Sequence, residues 1–471
     1  MIKELKSLII SGVECLPIVE GGKGVGITNG NTAGNFAKAG AVGTISGVNA
    51  NILDDNGEVI EMNVKSKSRV DRNNEMIEYS TKGLISQAKR AKDIAGNNGR
   101  IHVNVMWEMG GTERILSGAL EKVKGIINGV VCGAGMPYRL GDICSKYKTY
   151  YYPIVSSMRA FKILWLRGYK KTAEWLGGVV YEDPWRAGGH DGLTNAEDPF
   201  IPQDPYPRIK EIREFMNSVG LNDTPIIIAG GVWNIEEWEN YLNNPEIGKV
   251  AFQFGTRPLL TKESPISSYW RKTLMNLNED DVKTNHFSPT NFYSSAINNE
   301  FLKSLFNRLT REIQYKVVAD ETFNTEIISG KGINKKSYFI KENDKNNVEK
   351  WISKGYNEAL RTPDETIVFV SKEDSEEIDE DRKNCIGCLS CCHFSGWSQY
   401  FPENGYTCGR MPDPRMFCIQ KALQYAKKGI CESKALLFAG SNAFRFKTDP
   451  FYKDGFVPTI KELVDRLMTG K

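Results

Sequence analysis

Eight short apolar runs punctuate the first part of the chain: LPIVE (16–20), AVGTIS (41–46), IHVNVMW (101–107), GVVCGAG (129–135), YYYPIVSS (150–157), LGGVVYE (176–182), TPIIIAGG (224–231) and KVAFQFGTR (249–257). Most are continuously apolar rather than alternating, as parallel strands buried on both faces must be. Between them lie stretches of helical character, among them TAGNFAKAG (32–40), NEMIEYSTKGLISQAKRAKDIAG (74–96), TERILSGALEKVKG (112–125), MRAFKILWLRGY (158–169) and YPRIKEIREFMNSVG (206–220). Eight strand–helix alternations predict an α/β fold, a TIM (β/α)8 barrel. An open, doubly wound sheet is the alternative, since a count of eight does not prove closure.

Glycines favour the barrel. Gly21-Gly22, Gly133, Gly188-Gly189, Gly230-Gly231 and Gly255 all fall at the carboxyl ends of the runs. In a barrel those ends share one rim, where active sites are built. Residues 47–75 read as a polar excursion after the second strand. Residues 285–384 read as a polar α+β insertion or small subdomain, with strands in KSYFIKE and TIVFVSKED. Residues 385–471 begin cysteine-rich and continue into two helices, PRMFCIQKALQYAKKG (414–429) and TIKELVDRLMTG (459–470). The expected organisation is a barrel over 1–284, an insertion over 285–384, and a C-terminal segment over 385–471 that packs back on the barrel.

Composition narrows the functional classes. Hydrophobic residues are 40% and charged residues 25% of the chain, the balance of a soluble globular protein. A net charge of only +3 argues against a nucleic-acid or polybasic membrane role. No run of about 18 apolar residues exists to span a bilayer. The opening MIKELKSLIISGVECLP lacks a secretory pattern, so the expected compartment is the cytoplasm. Seven of the ten cysteines lie between Cys385 and Cys431. A disulfide framework fits poorly there, and reduced thiols or metal ligands fit better.

The candidate chemistry sits on the rim. Gly230 and Gly231 end one buried run before a helix start near Asn234, and Gly255 and Thr256 end the next. Backbone N–H groups, a hydroxyl and a helix start at strands seven and eight make the usual phosphate corner of such a barrel. Of four histidines, His190 alone follows a Gly-Gly approach at a strand end, which makes it the candidate acid–base group. His102 lies inside a strand, and His286 and His393 lie in polar loops. No HExxH, G-x-S-x-G or Walker sequence is present. A phosphate corner, one histidine and no other nucleophile suit a bound organic cofactor.

The stretch PIVEGGKGVGITNGNTAGNFAKAGAVGTIS resembles the opening of the nitronate monooxygenase family, also called 2-nitropropane dioxygenase-like. The similarity continues through VNVMW, GAGMPYRL, PIVSSMRAFKI, AGGHDGL, IIIAGGVW and QFGTR, and returns at LLFAGSNAFR, covering about residues 10–275 and 385–471. The resemblance implies a TIM barrel binding FMN non-covalently and acting on a small-molecule substrate. It places Gly21, Gly22, Gly188 and Gly189 against the flavin, Asn104 on its ring and Ser156 nearby. It gives the FMN phosphate to Gly230, Gly231, Gly255 and Thr256, and makes His190 the active-site histidine. The implied reaction is oxidation of alkyl nitronates by O2 to carbonyl compounds and nitrite. Glu20, Lys23 and Pro258 depart from the family pattern, and residues 285–384 show no counterpart. A related FMN-dependent enoyl-acyl-carrier-protein reductase is the rival within the fold, and a non-catalytic flavin-binding protein the rival outside it.

Cys385-x2-Cys388-x3-Cys392, with Cys408 after fifteen residues, forms a candidate metal set. It is similar to the [4Fe–4S] segment of the 2,4-dienoyl-CoA reductase group. A [4Fe–4S] cluster, zinc and free thiols all remain open there. The sequence carries no signal of oligomeric state.

Overall fold

The structure is a computed structural model describing residues 5–194, 196–330, 335–399, 411–429 and 431–470. Strands Ile18–Glu20 (β1), Val42–Ser46 (β2), Arg100–Met106 (β3), Gly129–Gly133 (β4), Tyr150–Val155 (β5), Val179–Glu182 (β6), Ile226–Ala229 (β7) and Val250–Phe254 (β8) form the barrel. Each pairs in parallel with the next in chain order. Phe252 of β8 pairs with Ile18 of β1, so the sheet closes and the open-sheet alternative is excluded.

The continuous apolar runs have a simple cause. Val179, Tyr181, Ile226, Ile228, Phe252 and Phe254 face the surrounding helices, while Val180, Ile227, Ala229 and Ala251 fill the barrel interior. Both faces are dry, so both parities of the period-2 pattern are apolar. At the amino end a hairpin of Leu8–Ile10 and Val13–Cys15 plugs the interior. Its Ser11 Oγ lies 2.9 Å from His102 Nε2 and 2.8 Å from the Tyr152 hydroxyl. His102 is therefore a buried plug residue, and burial pushes its pKa down to about 3.

Three local features differ from the periodicity. The long helix after β2 runs Arg69–Ala95, starting five residues before the apolar pattern does, because the Ser68 side chain accepts from Asp71 N–H and caps a polar first turn. The excursion before it carries a small hairpin, Ile52–Leu53 with Val59–Ile60. After β7 and β8 come short 3-10 helices, Ile235–Tyr241 and Arg257–Leu260, in place of α-helices. Trp238 leaves helical geometry in the first, and Pro258 stands at the start of the second.

Beyond the barrel, Glu312–Gln314, Thr366–Val370 and Glu358–Arg361 form an antiparallel sheet, and Thr325–Ser329 pairs with Lys336–Ile340. Ile313, Ile340, Val348, Ile367 and Phe369 give this region its own small core. The hairpin Val282–Asn285 and Ser294–Ile297 joins the barrel rim instead, through pairing of Ser294 and Ser295 with His190 and Gly189. The C-terminal region reaches the same rim. Phe438 bridges to Ala296, and helix Ile419–Lys428 lies over the opening. The last helix, Ile460–Thr469, buries Ile460, Leu463, Val464 and Leu467 in the main core. Among the described residues no helix is long and apolar enough to cross a membrane.

Candidate active site

The carboxyl ends of the strands open into one cavity. Its floor and walls are Gly21, Gly22 and Lys23 after β1, Asn104 and Met106 on β3, Glu182 through His190 in part, Gly230 and Gly231 after β7, and Gly255 and Thr256 after β8. Its roof is Leu389, Ile419, Gln420, Leu423, Leu436 and Phe438. All the glycines expected at the cofactor thus meet in one place, with Asn104, Thr256 and His190. Ser156 does not line the wall. Its Oγ donates to Gly192 O at 2.6 Å, which ties down the loop just past His190.

The strand geometry explains why Asn104 reaches the cavity. His102 and Asn104 are two residues apart on β3 and point inward together, one layer above the other. Gly22 lies flat against it: a Cβ on Gly22 would sit 2.3 Å from Asn104 Cβ.

At the β7–β8 corner, Gly230 and Gly231 take φ of +85° and +74°, a turn that side chains adopt at a cost. Among the described residues, the N–H groups of Gly231 and Thr256 have no acceptor. A Cβ on Gly255 would meet nothing within 4 Å, so open space adjoins the backbone there. The Arg186 side chain packs on Gly231 and lines the same corner, with Nη1 3.5 Å from Asp183 Oδ2. Free amides, an open cradle and a guanidinium fit the phosphate of FMN. The C-terminal segment completes the corner, since Gly440 N–H donates to Thr256 Oγ1 at 2.9 Å and Asn442 Nδ2 donates to Gly231 O at 2.6 Å.

The ionisable groups of the cavity are paired or neutral. Burial, with Asp191 and Asp183 nearby, pushes the Glu182 carboxyl up to about 8, so it is protonated near neutral pH. Lys23 Nζ donates to Gly21 O at 2.7 Å and lies 3.8 Å from Glu20 Oε1. Burial raises the Glu20 carboxyl and lowers the Lys23 ammonium, each opposed by the other's charge.

His190 sits at the cavity edge with its ring edge-on to Phe438. Nε2 lies 2.6 Å from Ser288 Oγ, and burial pushes the imidazole pKa down to about 4. Near neutral pH it is an uncharged base. The other two histidines lie off the cavity wall; His286 stacks on Tyr293 at 4.5 Å.

Sequence reasoning missed several wall residues. Arg186, Glu182 and Met106 lie on or just past recognised strands and were legible in principle from strand parity. Gln420 and Phe438 on the wall, and Ser288 behind His190, come from distant segments with no local signal. Cys385 is half-buried and Cys388 and Cys392 are buried, with only Cys388 reaching the cavity. Cys408 lies outside the described residues. Among the described residues, no three His, Cys, Asp or Glu side chains converge on a metal position. Cys391, expected as a thiol or ligand, is disulfide-bonded.

A family model described as nitronate monooxygenase matches residues 8–355. It runs on through 285–355, where no counterpart is legible by eye, and stops before the cysteine-rich segment. No curated protein matches the sequence. Among solved structures, the enoyl reductase domain of MlnA from the macrolactin biosynthesis cluster of Bacillus amyloliquefaciens is 12% identical, with a TM-score of 0.51, covering 96% of this chain and 93% of that one. Nitroalkane oxidase from Streptomyces ansochromogenes is 16% identical (TM-score 0.43; 61% and 78% covered), and FabK from Thermotoga maritima is 16% identical (0.41; 62% and 74%). At 12% identity the likeness to the MlnA domain speaks for the fold alone, whereas the family match spans most of the chain. With a closed barrel whose glycines and rim histidine meet on one cavity, the chain belongs to the nitronate monooxygenase family of FMN-dependent TIM-barrel oxidoreductases.

Proposed function

We propose that this enzyme oxidises small alkyl nitronates with O2, giving a carbonyl compound and nitrite. The observation that carries the reading is His190, an uncharged imidazole held at the edge of a cavity whose β7–β8 corner suits a phosphate. A bound FMN would supply the redox chemistry between an electron-rich nitronate and O2. The N–H groups of Gly231 and Thr256, with Arg186, would hold its phosphate; Gly22 would lie beneath its ring and Asn104 would donate to it. His190 hydrogen-bonds the nitronate, or takes the α-proton of a neutral nitroalkane. The apolar roof of Leu389, Ile419, Leu423, Leu436 and Phe438 excludes water and suits a short alkyl chain.

The test is anaerobic mixing of the FMN-loaded protein with propyl nitronate, NADH and NADPH. Bleaching of the flavin by the nitronate alone is expected. Bleaching by a nicotinamide alone would move the assignment to an enoyl reductase, and no bleaching by any would leave a flavin-binding protein. His190→Ala should retain FMN and lose about 10²-fold or more in turnover of a neutral nitroalkane such as nitroethane, the range for a removed general base. Unchanged turnover removes the histidine from the mechanism.

A further inference from the structure

The hairpin that pairs with Gly189 and His190 brings two hydroxyls to the back of the imidazole. Ser288 Oγ is 2.6 Å from His190 Nε2 and 2.8 Å from Thr290 Oγ1. Ser288 is 1% exposed, while Thr290 is only half-buried, so the row leads from the cavity edge toward the surface. The row is held by the main chain. Thr290 N–H donates to Ser288 Oγ at 3.4 Å and Phe292 N–H donates to Thr290 Oγ1 at 3.3 Å. Nε2 carries the ring's hydrogen bond among the described residues, and His190 lines the cavity, which leaves Nδ1 as the nitrogen available to it.

These contacts permit two hydrogen arrangements. Ser288 carries one hydrogen and two lone pairs, and one lone pair already accepts the Thr290 N–H. Either Nε2–H donates to Ser288 and Ser288 donates to Thr290, or both bonds run the other way. The first arrangement leaves a lone pair on Nδ1, facing the cavity. The second puts a hydrogen there instead. Moving from one to the other requires only proton shifts along the row.

We propose that Ser288 and Thr290 are positioning residues forming a two-hydroxyl relay, which holds His190 as the Nε2–H tautomer and carries off the proton its Nδ1 takes from a substrate carbon. The inference rests on the reading of His190 as the group that meets the substrate. When Nδ1 gains the α-proton, the hydrogen on Nε2 passes to Ser288, that of Ser288 passes to Thr290, and that of Thr290 leaves to water. The C–H electron pair stays on the substrate as its anion, and no redox change occurs in the protein. Nothing in a single hydrogen bond to a packing serine would require the second hydroxyl or the path outward.

The relay matters for a neutral nitroalkane, which must lose a proton, and much less for a nitronate, which has already lost it. The experiment compares the two substrates and reads the tautomer directly. In FMN-loaded protein labelled with 15N-histidine, His190 (assigned against a His190→Asn variant) should show a protonated Nε2 and an unprotonated Nδ1. Ser288→Ala should give a mixture of tautomers and lower the ratio of kcat for nitroethane to kcat for ethyl nitronate about tenfold or more, with Ser288→Thr restoring both. Thr290→Val should keep the tautomer and lower the same ratio, which serves if Ser288→Ala does not fold. An unchanged tautomer together with an unchanged ratio in Ser288→Ala, or an unchanged ratio in Thr290→Val, overturns the relay. The tautomer is read without turnover. If neither substrate is oxidised while the tautomer shifts as described, the proposed function falls and the positioning role of Ser288 survives; nitronate turnover with an unmoved tautomer does the reverse.

Discussion

Replacing Gly22 by alanine adds one methyl group at the most crowded point of the cavity floor. The added Cβ would lie 2.3 Å from Asn104 Cβ and 2.6 Å from Asn104 Cγ. Carbon atoms rest about 3.5–4.0 Å apart, so something must move by about 1.2 Å or more. Asn104 cannot, because it is paired to Ser46 of β2 on one side and Val131 of β4 on the other. Gly21 is held as well, its N–H donating to Phe254 O at 2.9 Å. The loop at Gly22 must therefore rise into the space where the flavin ring would lie. Gly22 does not have a positive φ, so backbone strain adds nothing and the effect is steric. Overpacking of this kind costs about 1–3 kcal/mol, which corresponds to FMN binding weaker by about 5- to 150-fold. Quenching of flavin fluorescence on binding measures the dissociation constant. The cycle with Asn104→Gly isolates the clash, since that change removes the three Asn104 atoms the new methyl meets. Gly22→Ala should cost less than about 0.5 kcal/mol in that background. Wild-type affinity in Gly22→Ala, or an equal loss with and without Asn104, would refute the steric account.

Two further outcomes follow from the same geometry. Arg186→Ala should weaken FMN about tenfold or more, the value of a charge-assisted hydrogen bond, while leaving riboflavin affinity unchanged; equal effects on both ligands would take the guanidinium away from the phosphate. On acidification, His102 and His190 resist protonation in the folded protein, with pKa values pushed to about 3 and about 4 by burial, whereas the unfolded chain takes up protons near 6.5. The stability they support is present above about pH 6.5 and is lost as pH falls toward those values, by about 1.4 kcal/mol per pH unit for each histidine. His102→Gln should make the thermal midpoint fall less steeply between pH 6.5 and 4, and an unaltered slope would count against the buried neutral imidazole.

The barrel was legible because its strands are dry on both faces. Val180 and Ile227 fill the interior while Val179 and Ile228 face helices, so each strand announced itself as an unbroken apolar run with glycine at its end. The cavity wall was legible for the same reason, since strand order alone sets which residues end on one rim. The helix start at Arg69 was not legible, because its first turn is polar and held by the Ser68 cap. Ser156 shows the limit of strand-end logic: it stands at the end of β5, yet its hydroxyl turns to Gly192 and away from the cavity.

What the sequence determined by itself is therefore everything carried by local period and order: eight parallel strands, their shared rim, the glycine approaches and the one histidine placed there. The tertiary structure alone decided what stands over that rim. The helix bearing Gln420 and the segment bearing Phe438 reach the cavity, and the hairpin bearing Ser288 backs His190, from about 100 to 250 residues beyond His190 in the chain. Nothing in their own composition marks them, because a contact across such a separation is set by how whole elements pack and not by the period of any one of them.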